Sequence, residues 1–105
     1  MGLELNQTER NGEWTLSVKG EVDLYTSPEL RTAIMKLLAK AKHGLGVDLS
    51  QVPYMDSSGV ATLVEGLKSA RSTQKKFVLV SPSESVMKVL QLARLDAVFE
   101  VCDLL

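Results

Sequence analysis

The chain has one cysteine among its 105 residues, Cys102, so no disulfide can form within it. This usage is typical of a reducing compartment. No apolar stretch is long enough to cross a bilayer, and the N-terminus lacks the basic and apolar regions of a signal peptide. We therefore expect a cytoplasmic protein without direct membrane insertion. Cys102 falls in the last predicted strand and is expected to be a small buried hydrophobe.

Histidine is equally scarce, since His43 is the only one in the chain. At a predicted helix end it favours the interpretation of a cation that complements the helix dipole. One histidine and one cysteine cannot supply a typical structural zinc site. The sequence also lacks a nucleophile elbow, a phosphate-binding loop, a dinucleotide-binding glycine motif and a histidine base for Ser57 or Ser58. We therefore expect no catalytic residue, metal or cofactor, and a protein that is not an enzyme.

An excess of one charge is also absent. The chain has 12 Lys and Arg against 13 Asp and Glu, a net charge of −1, and the cations are spread along the sequence. A nucleic-acid-binding protein would normally show a basic stripe, so we expect no nucleic-acid partner. The length and the 45% hydrophobic content indicate one globular domain with a core of its own.

What the sequence does contain is a regular alternation of strand and helix patterns. Asn11-Gly12 predicts a hairpin between strands at 3–8 and 13–19, because both residues tolerate positive φ. Further strands are predicted at 45–50, 77–80 and 97–101. Helices are predicted from 26–29 to about Lys42, from 56–59 to about Ser72, and from 81–84 to about Ala93. The order β-β-α-β-α-β-α-β predicts an α/β domain, with a mixed sheet, a leading antiparallel hairpin and helices packed mainly on one side.

The segment Met55-Asp56-Ser57-Ser58-Gly59 lies where a buried strand ends and a helix begins. Asp56 is a strong N-cap candidate, as Thr26 is with Glu29 in a capping box. The same position suits a phosphorylated serine, because a helix N-terminus favours negative charge. Asp23 has two interpretations as well: a turn carboxylate that accepts nearby backbone N–H groups, or a carboxylate beside a binding surface.

Four stretches of the chain resemble the STAS domain family, and within it the bacterial anti-sigma factor antagonists. The resemblance covers nearly the whole chain and implies one STAS domain over residues 1–105, with three to four helices. The stretches are Gly20-Glu21-Val22-Asp23, Val47-Asp48-Leu49-Ser50, Tyr54-Met55-Asp56-Ser57-Ser58-Gly59-Val60 and Leu92-Ala93-Arg94-Leu95-Asp96-Ala97-Val98-Phe99.

The resemblance implies a partner-switching function. In this family the unmodified antagonist binds an anti-sigma factor that is also a serine kinase; phosphorylation ends the complex, and a serine phosphatase resets it. By position the phosphorylated serine is Ser57, with Ser58 as the weaker candidate. Asp23, Asp56 and Gly59 join both serines as expected partner-binding residues.

A second possibility comes from the segment 63–71, which resembles a sister branch of the family. There, small STAS proteins bind the permease of an ABC-type lipid transporter as accessory subunits. Members of that branch often have Ala after the first serine of the motif, so Ser58 favours the switch branch.

Overall fold

The computed structural model describes residues 2–103, which form one five-stranded sheet and three helices. The strands lie in the order β1-β2-β3-β4-β5, with β1 antiparallel to β2 and the other pairs parallel. In chain order the elements are β1 (Glu4–Arg10), β2 (Glu13–Lys19), α1 (Ser27–Lys40), β3 (Gly44–Gln51), α2 (Ser57–Ser72), β4 (Lys76–Val80), α3 (Glu84–Leu92) and β5 (Glu100–Cys102). The predicted element order and fold class are confirmed.

The hairpin forms as the sequence predicts. Asn11 and Gly12 have φ values of 56° and 83°, in the left-handed region that Asn and Gly adopt most easily. Every residue of β1 then pairs with β2, from Glu4 opposite Lys19 to Arg10 opposite Glu13. This pairing places the start of β1 beside the end of β2, so the N-terminal segment lies next to the loop that follows β2.

The core lies between the sheet and the helices. Alternate residues of the strands point to this side, and Leu16, Val47 and Leu79 lie side by side across the sheet, each 1% exposed or less. From the helices, Leu30, Ile34 and Leu37 of α1 are buried with Leu63 of α2 and Leu90 of α3. These three buried residues of α1 recur at i, i+4 and i+7, which is the spacing of one helix face.

Parallel pairing places the carboxyl ends of β2, β3 and β4 at one end of the sheet, together with the N-termini of all three helices. Three loops lie there, at residues 20–26, 52–56 and 81–83. Ser83 connects the last two, because its hydroxyl donates to the Val52 carbonyl at 2.6 Å. We call this the carboxyl end of the sheet; ligands of open parallel sheets usually bind at such an end.

The capping box predicted for α1 is wrong. Thr26 precedes the helix, but its side chain does not cap it. The Thr26 hydroxyl lies 2.8 Å from the Glu21 carbonyl and 3.2 Å from Asp23 Oδ1 instead. Glu29 accepts a hydrogen bond from the Leu3 N–H at 3.0 Å. Both residues of the proposed box have acceptors or donors outside the helix, which a local pattern does not reveal.

The predicted end of α1 and the predicted bounds of the last strand also need correction. Helix α1 ends at Lys40, since Ala41 is already extended, so His43 lies beyond the helix and Gly44 begins β3. The last strand is Glu100–Cys102 rather than 97–101, and Cys102 is exposed, not buried. As an edge strand next to β4 only, β5 has few neighbours to cover its side chains.

Candidate functional site

The turn before α2 is organised by Asp56. Its backbone is extended, and its carboxylate accepts the N–H groups of Ser58 at 2.9 Å and of Gly59 at 3.4 Å. These are N–H groups of the first helical turn, which have no partner within the helix itself. The predicted N-cap is therefore confirmed, and it fixes where the helix begins: Ser57 is the first helical residue.

Hydrogen bonding holds the pKa of Asp56 below its ordinary value of 3.8, so this group is a carboxylate at neutral pH. The main cause is the Ser58 hydroxyl, and partial burial opposes it. Backbone N–H groups of Ser58, Gly59 and Leu24 add to the lowering. Leu24 belongs to the loop after β2, so both loops affect the pKa of the same carboxylate.

The two serines differ sharply in their surroundings. The Ser58 hydroxyl donates to Asp56 Oδ1 at 2.5 Å, and the side chain is half-buried. Ser57 is exposed, and within residues 2–103 its hydroxyl makes no hydrogen bond. A phosphate donor could reach the Ser57 hydroxyl directly, whereas reaction at Ser58 would first break a charge-assisted hydrogen bond.

Gly59 is buried and lets α2 approach its neighbours closely. A Cβ at this position would lie 2.6 Å from Met55 Cγ and 2.8 Å from Val22 Cγ1, closer than van der Waals contact permits. Gly59 therefore positions the start of α2 against both loops.

Asp23 organises the neighbouring loop at residues 20–26. Its Oδ1 accepts the N–H groups of Tyr25 at 2.9 Å and of Thr26 at 3.0 Å. The Asp23 N–H in turn donates to Thr26 Oγ1 at 2.9 Å. The carboxylate thus forms the turn that one interpretation of the sequence predicts, and it lies half-buried at the carboxyl end of the sheet.

The two loops are joined as a short continuation of the sheet. Val22 and Met55 form a parallel bridge, in which the Val22 N–H donates to the Tyr54 carbonyl at 2.9 Å and the Asp56 N–H to the Val22 carbonyl at 3.1 Å. Val22 and Met55 are both buried, at 1% exposure or less. Asp23 and the segment 56–59 are therefore brought together by the fold, although about 30 residues separate them in sequence.

Three large hydrophobic side chains of these loops were not singled out from the sequence. Tyr25 is 88% exposed, Leu24 is 69% exposed and Tyr54 is 49% exposed. A loop has no periodicity from which exposure could be predicted. The available signal was weaker: two adjacent apolar residues, Leu24 and Tyr25, at positions where turn residues usually stand.

This end of the sheet combines three kinds of group. Carboxylates stabilise turns and a helix start, the Ser57 hydroxyl has no hydrogen-bond partner within residues 2–103, and hydrophobic side chains face solvent. Within residues 2–103 there is no group of three His, Cys, Asp or Glu side chains that could hold a metal. In the same range, no helix has the length and hydropathy needed to span a membrane.

The five-stranded mixed sheet with helices on one face defines a small α/β domain, and its second helix begins at a capped Asp-Ser-Ser-Gly segment. The STAS domain family model matches residues 4–104, and the chain belongs to this family. The resemblance drawn from the four sequence stretches is thereby confirmed.

The anti-sigma-B factor antagonist of Listeria monocytogenes is 30% identical over 102 residues, which cover 96% of this chain and 90% of that protein. Among solved structures, an anti-sigma factor antagonist from Mycobacterium paratuberculosis is 26% identical with a TM-score of 0.85, over 95% of this chain and 85% of that one. The fold is also that of the anti-sigma factor antagonist SpoIIAA in its unphosphorylated form, with a TM-score of 0.79 at 21% identity over 98% of this chain and 88% of that one.

Proposed function

We propose that this protein is a cytoplasmic anti-sigma factor antagonist that is switched by phosphorylation of Ser57. The unphosphorylated form binds an anti-sigma factor that is also a serine kinase. The kinase phosphorylates Ser57, the complex dissociates, and a serine phosphatase restores the binding form. The protein acts as ligand and substrate, not as catalyst. The names of its relatives support the first part of this proposal, and the site supports the second.

The observation that carries the proposal is the difference between the two adjacent serines. Ser57 is exposed and its hydroxyl is not engaged, whereas Asp56 holds the hydroxyl of Ser58. Ser57 is therefore the acceptor, and Ser58 serves to keep Asp56 in place. Because Asp56 already occupies the N–H groups of Ser58 and Gly59, a phosphoryl group on Ser57 would remain outside the cap.

A phosphoryl group at this position changes the surface more than the fold. It adds about −1.5 to −2 charges at the first turn of α2, where the helix dipole favours negative charge. The surface that it joins already carries the exposed Glu21 and the half-buried Asp23 and Asp56. A partner that fits the neutral hydroxyl would have to accommodate and desolvate this group, so binding weakens while the domain stays folded.

The proposal is tested by incubating the purified protein with the serine-kinase anti-sigma factors encoded in its source genome, with ATP, and mapping phosphate by mass spectrometry. We expect phosphate on Ser57, loss of the modification in Ser57→Ala, and persistent kinase binding by that variant. Ser58→Ala should still be modified. Absence of phosphate from both serines would contradict the proposal; capture of a transporter permease, with function unaffected by Ser57→Ala, would support the transporter alternative.

A further inference from the structure

We infer that Leu24 and Tyr25 form a hydrophobic anchor that inserts into an apolar pocket of the partner, and that Lys or Arg side chains line the rim of this pocket. The occupant is a folded protein, the anti-sigma factor kinase, so the inference rests on the proposed function. The inference assigns affinity and specificity to Leu24 and Tyr25, whereas Ser57 is the residue that switches binding off.

The exposure of these side chains is the first argument. Six large hydrophobic residues are exposed within residues 2–103, and three of them, Leu24, Tyr25 and Tyr54, belong to the two loops that meet beside Ser57. At 69% and 88% exposure, Leu24 and Tyr25 contribute little to the core. Tyrosine is among the residues that most often dominate protein interfaces, because it buries a large rigid area at small entropic cost.

The rigidity of their backbone is the second argument. The Tyr25 N–H donates to Asp23 Oδ1 at 2.9 Å, and the Val22 N–H donates to the Tyr54 carbonyl at 2.9 Å. Hydrogen bonds thus hold the backbone on both sides of Leu24. A loop that is fixed before binding loses less conformational entropy when it docks, so this arrangement favours affinity.

The charge around the anchor defines the chemistry of the partner. Glu21, Asp23, Glu29 and Asp56 lie in or next to the two loops, and residues 20–30 and 52–67 contain no Lys or Arg. Nucleic acid and anionic lipid would be repelled from such a surface. A protein pocket with a cationic rim would complement both the apolar pair Leu24 and Tyr25 and the exposed carboxylate of Glu21.

The anchor and the switch are separate parts of the surface. No hydrogen bond within residues 2–103 connects the Ser57 hydroxyl with the loop at 20–26. Removing the anchor should therefore weaken docking but leave the Ser57 hydroxyl as reactive as before. In kinetic terms, KM for phosphorylation should rise while kcat is conserved.

The test uses the full chain and each purified serine-kinase anti-sigma factor encoded in the source genome, with affinity measured by calorimetry and Ser57 phosphorylation at steady state. We expect Leu24→Ala and Tyr25→Ala each to lower affinity and raise KM about 10-fold, with kcat within about threefold and an unchanged melting temperature. Leu92→Ala is the matched control, because Leu92 is 84% exposed on α3 at the other end of the sheet. Affinity and KM should be unchanged in this control.

Glu21→Lys tests the cationic rim, because the Glu21 side chain is exposed. We expect it to slow association about 10-fold at low salt, and we expect high salt to reduce this difference. An association rate equal to or above that of the wild type would overturn the cationic rim.

If Leu24→Ala and Tyr25→Ala both bind within twofold of the wild type while the wild type is phosphorylated on Ser57, the anchor is wrong and the proposed function stands. If Leu92→Ala lost as much affinity as Leu24→Ala and Tyr25→Ala, the anchor would also be wrong. If the wild type neither binds nor is phosphorylated, the proposed function fails, and the anchor fails with it.

Discussion

The two ends of the sheet differ in which charged residues lie there and in what those residues contact. At the carboxyl end, Asp23 and Asp56 accept backbone N–H groups, and the three loops contain no Lys or Arg. At the amino end of the parallel strands, α1 and α2 each have a basic residue in the last turn, Lys40 and Arg71, although Glu13 and Glu100 begin β2 and β5 there. Helix polarity explains the difference, because helix N-termini favour anions and C-termini favour cations.

The two ends of the sheet also differ in which side chains are exposed to solvent. At the amino end, the Lys75 ammonium donates to the Leu38 carbonyl at 2.5 Å, and that of Lys40 lies 5.5 Å from the centre of the Trp14 ring. There the cations complete helix ends and cover an aromatic side chain. At the carboxyl end the carboxylates face inward to the backbone, and a free hydroxyl and three hydrophobic side chains face solvent. Under the proposed function, the carboxyl end is the recognition surface, and charge at the amino end affects stability alone.

The strongest test of this division is a charge placed at Ser57. We expect Ser57→Asp to weaken binding of the proposed kinase about 100-fold, which is roughly 2.7 kcal/mol, with no more than about 0.5 kcal/mol lost in stability. Calorimetric titration and urea unfolding measure the two quantities. The control is Ser85→Asp, an exposed serine in the first turn of α3, which should change neither. Unfolding of Ser57→Asp would indicate a structural role instead.

The close packing of Gly59 against Met55 and Val22 can be tested by substitution of the glycine. The Cβ of Gly59→Ala would overlap Met55 and Val22, so we expect a loss of about 1–3 kcal/mol in the free energy of unfolding. Denaturant unfolding provides the measurement. Ser57→Ala, a substitution on the exposed side of the same turn, should cost less than about 0.5 kcal/mol. Equal stability of Gly59→Ala and the wild type would show that the two loops separate easily.

A substitution of Asp23 tests whether the loop at residues 20–26 depends on this carboxylate for its conformation. Asp23→Ala removes the acceptor of the Tyr25 and Thr26 N–H groups, and we expect it to cost about 1–2 kcal/mol. Amide hydrogen exchange should increase at residues 23–26. Asp96→Ala is the control, since Asp96 is an exposed aspartate beyond α3, and we expect it to change stability by less than about 0.5 kcal/mol.

At the amino end, charge should affect stability alone. Lys75→Met keeps the aliphatic stem but removes the donor to the Leu38 carbonyl, so we expect a loss of about 1 kcal/mol. Binding of the kinase should be unchanged. A binding defect in this variant, measured by the same titration as for Ser57→Asp, would contradict the division between the two ends.

The smallest expected effect is the pH dependence of the Asp56 cap. Because its pKa is lower in the folded state, the ionised group stabilises the fold above the unfolded pKa of about 3.9, and this contribution disappears as pH falls through the folded value. Asp56→Asn keeps a capping oxygen without a charge. Its stability should be lower than that of the wild type by several tenths of a kcal/mol at pH 7, and this difference should shrink as pH falls below the unfolded pKa, as measured by unfolding at each pH. A constant difference would exclude ionisation as the cause.

The features that could be predicted from the sequence are those that depend on near neighbours. Asn11-Gly12 closes a hairpin, and Asp56 caps α2 through N–H groups two or three residues further along. The capping box at Thr26 and Glu29 was equally local in appearance, but the Leu3 N–H and the Glu21 carbonyl competed for these side chains. Local patterns fail where a partner from another part of the chain is available.

The candidate site shows the same limit. Ser57, Ser58 and Asp56 could be selected from five consecutive residues and a family resemblance, and so could Asp23. It could not be predicted that the two loops are joined through Val22 and Met55, or that Asp56 binds the hydroxyl of Ser58 rather than that of Ser57. The gathering of the cations at one end was hidden as well, because residues that are spread along the sequence meet only after the strands pair.

By itself, the sequence determined the alternation of strands and helices, their inward faces and the helix start at Ser57, because periodicity and capping act over a few residues. The tertiary structure decided the strand order, the joining of the loops through Val22 and Met55, and the exposure of Leu24 and Tyr25. These depend on contacts between segments far apart in the chain, whose geometry is set only when the shared core is packed.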